Sequence, residues 1–598
     1  MSNLTDLLPA GGGGKNVNFV ASGTLPSGQT VALKTDGTVE AVSGVTQAVG
    51  SPVVFEAADS PYVTSTFDSN SNKIVVSYRD DGNSNYGTAV VGTVSGTSIS
   101  FGTPVVFFAN LVSARSVVFD STNNKIVIGF YYYNGSANIG TAIVGTVSGT
   151  SISFGSAVSI AGSSVPTYIS LAYDANAQRV VASYRDANNS DYGTAVVGTV
   201  SGTSISFGSP VIFNSANSPY IGSTFDSNAN KVVISYQDGT SANYGTAIVG
   251  TVSGTSISFG TSVVFENTAN MNLGGSAVCF DTNTNKILIA YSVYVFNSVQ
   301  YDGKAVVGTV SGTSISFGSP VVFHAASTGI IGVAYDPDTN KTVITYTDQD
   351  NSNYGALVNG TISGTSVSFS SEFVFSAANA GFIAPVYDSN ADKTVIFYQD
   401  NGNSGYGTGV VYSVASSNNT SFIGITDADI ANAASGSVTI KGGISTIKGG
   451  TYAVTVVNSG SGNKYAINGV EQSVLNLYEG ATYKFDQSSG TNSGHPFRFS
   501  TTADGTHGGG SEYTTGVTTS GVPGNAGAYT QIIVASGAPT LYYYCSVHSG
   551  MGGTANTLAI VPNSNYYVQN DGTLTTTTST VLAGRALSST SINLDYTT

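Results

Sequence analysis

Short hydrophobic runs, mostly in period-two alternation with polar residues and broken by Gly, Ser, Asn and Asp, fill most of the chain and predict β-strands joined by tight turns. One stretch sets the rhythm: YGTAVVGTVSGTSISFGTPVVF, from Tyr86 to Phe107. It returns from Ile139, Tyr192 and Tyr244, and in more divergent form from Gly303, Tyr354 and Tyr406. Measured on the glycine of GTVSG, the copies fall at Gly92, Gly145, Gly198, Gly250, Gly308 and Gly360, with Tyr412 in that place in the seventh. The steps of 53, 53, 52, 58, 52 and 52 residues mark stacked or circularly arranged supersecondary units.

Within the first unit four runs can be counted: TSTFD, KIVVSY, TAVVGTV and SISFGTPVVF. The first two are joined by a turn that opens on Asp68 and closes before Lys73. It recurs as Asp120/Lys125, Asp174/Arg179, Asp226/Lys231, Asp281/Lys286, Asp336/Lys341 and Asp388/Lys393. Asp and Asn side chains bond their own backbone two residues on, which suits them to such turns better than to a calcium loop, whose bidentate Glu is missing here. Four antiparallel strands per 52 residues or so is one propeller blade, and seven blades close a ring. GSPVVF, Gly50 to Phe55, matches the end of a fourth strand but precedes the first complete unit, whereas the seventh unit ends in a degenerate fourth run. An N-terminal strand completing the last blade would remove the exposed edges. The expectation is an all-β chain with a seven-bladed β-propeller over 46–423.

Each second strand ends in an aromatic, and five lead into an Asp-bearing, Asn/Ser-rich loop: Tyr78/Asp80, Tyr184/Asp186, Tyr236/Asp238, Tyr346/Asp348 and Tyr398/Asp400. These side chains form a candidate sugar-binding face by stacking and hydrogen bonding, against the plainer reading of turn chemistry and inter-blade packing copied by duplication. Blades two (FYYYNGSANIG) and five (SVYVFNSVQYDG) break the pattern, which makes the blade-five loop around Tyr301 and Asp302 a candidate for specific recognition.

Outside the ring, residues 1–45 read as a small β-module for attachment, and 424–450 with 562–598 as one interrupted β-domain. Inserted between those halves, 451–561 carries the sharpest constellation. The chain holds four His, two Cys and three Met, and His495, Cys545, His548 and Met551 all fall in one 57-residue window. A thiolate, two imidazoles and a weak thioether suit a mononuclear blue-copper ion. A binding or spacer module without metal is the alternative. His507, in DGTHGGGSEYTTGV, reads as a surface loop residue that could substitute as a ligand, and His324, in VVFHAAS, as structural. With Cys279 and Cys545 in different domains, no disulfide framework is expected.

Composition narrows the function classes. Only 9% of residues are charged while 41% are apolar, the profile of a β-rich particle-surface or extracellular protein. A net charge of −15 with 19 Lys and Arg argues against nucleic acid as partner. No apolar run of about 18 residues spans a membrane, and no basic leader with an apolar core opens the chain, so assembly inside a cell and release by lysis is expected. Neither a Ser-His-Asp set nor a phosphate loop is visible, and no enzymatic activity is expected.

Two resemblances extend these readings. LYYYCSVHSGMGG with the upstream GHPFRFS resembles the cupredoxins over about 110 residues, which implies a β-sandwich with His495, Cys545 and His548 as equatorial copper ligands and Met551 as axial ligand. YYVQNDGTLTT followed by VLAGRALSSTSINLDY resembles the small β-domains at the ends of phage structural proteins, and the whole combination resembles structural proteins of marine cyanophages. That likeness implies a multicopy or homo-oligomeric protein on the virion surface, a tail fibre, knob or head appendage. Its partners would be other virion proteins and a host-surface glycan or receptor. A purely decorative capsid or tail protein is the alternative, and a copper electron-transfer protein a further one.

Overall fold

The computed structural model describes residues 15–594 apart from 35, 46, 163–164, 241–242, 268–275, 296–299, 418–420, 445–449, 459–461, 560–563, 571, 573, 577, 580 and 589–590. The Gly-rich leader lies outside these residues. The chain divides into two compact units, Thr46–Ala415 and a second made of Met1–Val45 with Ser416–Thr598.

The first unit is a seven-bladed propeller. In blade one the strands Thr64–Asp68, Lys73–Asp80 and Tyr86–Ser95 pair antiparallel in sequence order. The fourth position is shared by Ser98–Phe101 and the start of Val105–Asp120, both laid along Tyr86–Ser95. The remaining copies repeat this order. In six of the seven hairpins the turn Asp accepts two backbone N–H groups: Asp68 Oδ1 accepts those of Asn70 and Ser71 at 2.9 and 3.0 Å, and Asp120, Asp226, Asp281, Asp336 and Asp388 do the same in their blades, while Asp174 accepts Ala177 N–H at 2.8 Å.

The ring closes through the N-terminal strand. Val53–Asp59 and Ala48–Val49 pair with Tyr406–Ser413 and take the outer position of blade seven, so the last blade is assembled from both ends of the unit. Gly50 shows that this junction has the same geometry as the others. A Cβ there would lie 1.9 Å from the Thr97 carbonyl oxygen of blade one, just as one on Gly102 would lie 1.8 Å from that of Thr150 in blade two. Only glycine permits so close an approach.

Between blades the core is an aromatic seam. Each outer-strand Phe packs on the aromatic that ends the second strand of the next blade: Phe55 on Tyr78, Phe107 on Phe130, Phe213 on Tyr236, Phe265 on Tyr291, Phe323 on Tyr346 and Phe375 on Tyr398, with centroids 5.1 to 5.5 Å apart. The first strands of all seven blades line a central channel of about 490 Å³. Serines stitch these strands together, as where Ser116 Oγ accepts Leu171 N–H at 3.0 Å and Ser170 and Ser223 bond at 2.9 Å.

In the second unit, residues 15–45 do not stand apart as a module of their own. Thr30–Leu33 pairs with Phe422–Thr426, and Lys15–Val20 with Ser435–Ile444, which in turn pairs with Ser591–Leu594. The N-terminal strands therefore complete the sheet of the interrupted domain. Residues 451–558 form a two-sheet β-sandwich. One sheet has six strands around Thr451–Asn458 and Thr482–Asp486; the other has four, in the order Leu475–Tyr478, Gly553–Leu558, Leu541–Cys545, Phe497–Ser500. Its core is aromatic, with Phe497 stacked between Phe485 and Tyr543 at 4.8 and 5.1 Å. Among the described residues no helix is long and apolar enough to cross a membrane.

Candidate functional site

Two neighbouring strands of the sandwich bring the rare residues together. Phe497 and Cys545 are paired across the sheet, so His495, two residues before Phe497, sits beside the end of the strand that delivers Cys545. His548 and Met551 follow in the loop that turns back into Gly553–Leu558. Cys545 Sγ lies 3.9 Å from His495 Nδ1 and 3.7 Å from His548 Nδ1, and the three donor atoms are all within 4.8 Å of one another. A trigonal ion with bonds of about 2.3 Å to sulfur and about 2.1 Å to nitrogen would hold S and N about 3.8 Å apart, so the residues present fit such an ion. Cys545 and Met551 are buried, His495 is half-buried and His548 is exposed.

The surrounding bonds fix the ligand backbone. Tyr465 donates its hydroxyl to the His495 carbonyl at 2.8 Å, and Gln487 Nε2 donates to the same oxygen at 3.0 Å. Tyr465 N–H donates to the Met551 carbonyl at 2.9 Å, and Asp504 Oδ1 accepts Gly550 N–H at 2.8 Å. His507 is placed behind the thiol, its Nε2 3.0 Å from the Cys545 carbonyl oxygen, so it braces the ligand strand rather than joining the donor set. Burial, and then the facing His548, push the His495 pKa down, which favours the neutral imidazole that a metal needs. Burial raises the Tyr465 pKa, with the Cys545 thiol adding to it, so this hydroxyl stays protonated as a donor.

The propeller residues singled out as a sugar-binding face are placed differently. The rings of Tyr78, Tyr184, Tyr236, Tyr346 and Tyr398 are at most 1% exposed; they belong to the inter-blade seam and present no face to a ligand. Asp80, Asp186, Asp238 and Asp348 are buried as well, and Asp186, Asp238 and Asp348 accept loop N–H groups. Asp400 is half-buried. The blade-five pair is half-buried like Asp400, but it lies in the strand Gln300–Ser311 and not in a loop: Tyr301 pairs with Tyr294, their rings 5.2 Å apart, and Asp302 accepts Gln300 Nε2 at 2.7 Å.

Two further aromatic pairs stand at the start of the channel-lining strands, with Tyr62 and Phe382 in the channel lining itself. Tyr62, Tyr168, Tyr220 and Phe382 all have left-handed backbones, with φ of 60°, 52°, 56° and 45°. For bulky residues this is a costly conformation that persists only where the surroundings impose it. All four rings are half-buried. Tyr62 and Phe382 lie 4.8 Å apart and Tyr168 and Tyr220 5.2 Å apart, with the guanidinium groups of Arg79 and Arg185 over Tyr62 and Tyr168 at 5.1 and 5.0 Å. A sequence signal for these aromatics existed. Six residues before each hairpin Asp the seven copies read Tyr62, Ala114, Tyr168, Tyr220, Gly275, Ile330 and Phe382.

No protein-family model and no curated protein sequence matches this chain. Among solved structures, Trypanosoma rangeli sialidase is similar at 12% identity with a TM-score of 0.33, over 68% of this chain. This chain spans 60% of the sialidase's length. The propeller assignment rests on the strand pairing and ring closure above.

Proposed function

We propose that the chain is a non-enzymatic recognition protein of a phage particle, whose propeller takes a host-surface glycan at the aromatic pairs that start its channel-lining strands. The observation that carries this reading is the set of four half-buried aromatics held there in left-handed backbones. Pre-ordered ring faces stack on the C–H faces of a sugar with little entropy left to lose on binding. Contacts this small give weak single-site affinity, so recognition would rely on many copies engaging one surface. The phage setting rests on the resemblance of the terminal β-segments. Binding of the purified chain to host cells and to arrayed glycans tests the propeller reading. Tyr168→Asn with Tyr220→Asn keeps residues that tolerate the left-handed backbone and removes both rings; binding should fall about tenfold or more, ~1.4 kcal/mol. Undiminished binding by that folded variant overturns the reading. Gold-antibody label at a fibre tip supports recognition, whereas label spread over the head or tail supports decoration.

A second activity is favoured by the Cys545 Sγ to imidazole spacing: the sandwich is a cupredoxin-like copper module. His495, Cys545 and His548 would hold the ion, with Met551 as the weak fourth donor. Bound copper supplies one-electron chemistry, and the exposed edge of His548 offers the contact point for a partner. Cu(II) added to the full chain should give an intense visible charge-transfer band that Cys545→Ser abolishes. A colourless protein rules this out.

A further inference from the structure

Because the blades are copies, two departures from the repeat that meet in space call for a cause. After the outer-strand Phe, the copies carry Glu56, Phe108, Asn214, Glu266 and Ser376, but blade five carries His324. Three residues before that Phe they carry Pro52, Pro104, Pro210, Ser262 and Pro320, but blade six carries Glu372. These two side chains, 48 positions apart, converge with Asp348 from the second strand of blade six. His324 Nε2 lies 3.7 Å from Asp348 Oδ1 and 3.5 Å from Glu372 Oε2.

The hydrogen bonds around the imidazole say which nitrogen carries the proton. Thr328 donates its hydroxyl to the Ala326 carbonyl at 3.0 Å, so toward His324 Nδ1, 2.9 Å away, its oxygen acts as acceptor. Nδ1 therefore bears a hydrogen, and Nε2 is turned to two carboxylate oxygens. Donors turned on one point in this way need a positive charge among them, either a proton on Nε2 or a metal cation. Their spacing suits the metal, since tetrahedral bonds of about 2.0–2.1 Å put neighbouring N and O donors about 3.4 Å apart. Outer partners are present too: Tyr346 donates its hydroxyl to Glu372 Oε2 at 2.6 Å, Asn351 N–H reaches Asp348 Oδ1 at 3.3 Å, and Thr328 orients the imidazole. Asp348 is buried and Glu372 is about one-third exposed, which leaves an entry path.

We propose that His324, Asp348 and Glu372 form a divalent transition-metal site that ties the outer strand of blade five to blade six, with one coordination position left for water. One imidazole and two carboxylates suit Zn(II), which serves as the probe. The full-length chain carrying Cys545→Ser and His548→Ala, which disables the sandwich cluster, is equilibrated with Zn(II) and dialysed. Bound metal and the thermal midpoint are then measured with and without chelator. The expected result is about one zinc per chain and a midpoint that falls on chelation. Adding Glu372→Ser, the residue blade four uses at that place, or His324→Gln should each remove both effects. Zinc retention unchanged by both substitutions, or a chain that retains no zinc and melts alike with and without chelator, overturns the site.

Discussion

The propeller and the sandwich bury aromatic rings in opposite ways. In the propeller the same Phe-on-aromatic contact recurs at six junctions, so no single ring there marks a function. In the sandwich Phe497, Tyr465 and Tyr543 each have a place of their own, and the rare residue types gather at the end of one strand pair. Repetition thus hides function in what departs from the copies, whereas a single-copy domain shows it in what converges. His324 and Glu372 are the propeller's departures; His495, Cys545 and His548 are the sandwich's convergence.

The largest expected effect tests whether the closing junction equals the internal ones. Phe55 is 6% exposed and touches Tyr78 and Phe101 across the seam and Phe397 in its own blade. Phe213 is 8% exposed and packs on Tyr236 and Phe259 at nearly the same distances. Either Phe→Ala should cost about 3–5 kcal/mol in chemical denaturation. Only Phe55→Ala should also speed amide exchange in 48–59, because that segment is held on blade seven by strand pairing and side-chain contacts with no turn joining it to the neighbouring strand. Equal exchange in both variants would show that the closing strand is no weaker than the rest.

A smaller effect separates copies that look identical in sequence. Tyr78 donates its hydroxyl to Glu56 at 3.0 Å, whereas the buried hydroxyl of Tyr184 has no partner among the described residues. Tyr78→Phe should cost about 1 kcal/mol, and Tyr184→Phe should be neutral or stabilising by up to about 1 kcal/mol. The two melting curves, read side by side, decide it.

Legibility followed the same division. The seven units, their four strands and the closing role of Gly50 to Phe55 could be read because period and alternation are local signals. The rings of Tyr78 and its copies were open to misreading: a Tyr before a polar loop reads alike whether it faces solvent or the next blade. The left-handed aromatics were missed because φ is not written in residue type, although the position six before each Asp was visible. In the sandwich the gathering of His495, Cys545 and His548 was legible, since His and Cys are scarce here. The bracing role of His507 was not, because it depends on a carbonyl 38 residues away. The pairing of residues 15–20 and 30–33 with strands some 400 residues later has no local signal at all.

The smallest effect contrasts the two units through pH. In the propeller seam burial raises the Glu56 pKa above its ordinary 4.5, and nearby Asp80 adds to the rise against the bond from Tyr78. The folded state then holds this proton more tightly than the unfolded state. Its contribution to stability is present below 4.5 and is lost as pH climbs through the folded value. In the sandwich the Ser488 hydroxyl, with its backbone N–H at 2.8 Å, lowers the Asp486 pKa below 3.8. Here the contribution is present above 3.8 and is lost as pH falls through the folded value. Glu56→Gln should therefore gain on the parent chain as pH rises from 4.5, by no more than about 1 kcal/mol because the group is half-exposed and screened. Asp486→Asn should instead lose ground to the parent as pH rises towards 3.8 and hold a constant deficit above it. Unfolding midpoints measured from pH 3 to 7 on both variants should diverge in opposite senses; slopes of the same sign would mean that the seam carboxylate is no more desolvated than the sandwich one.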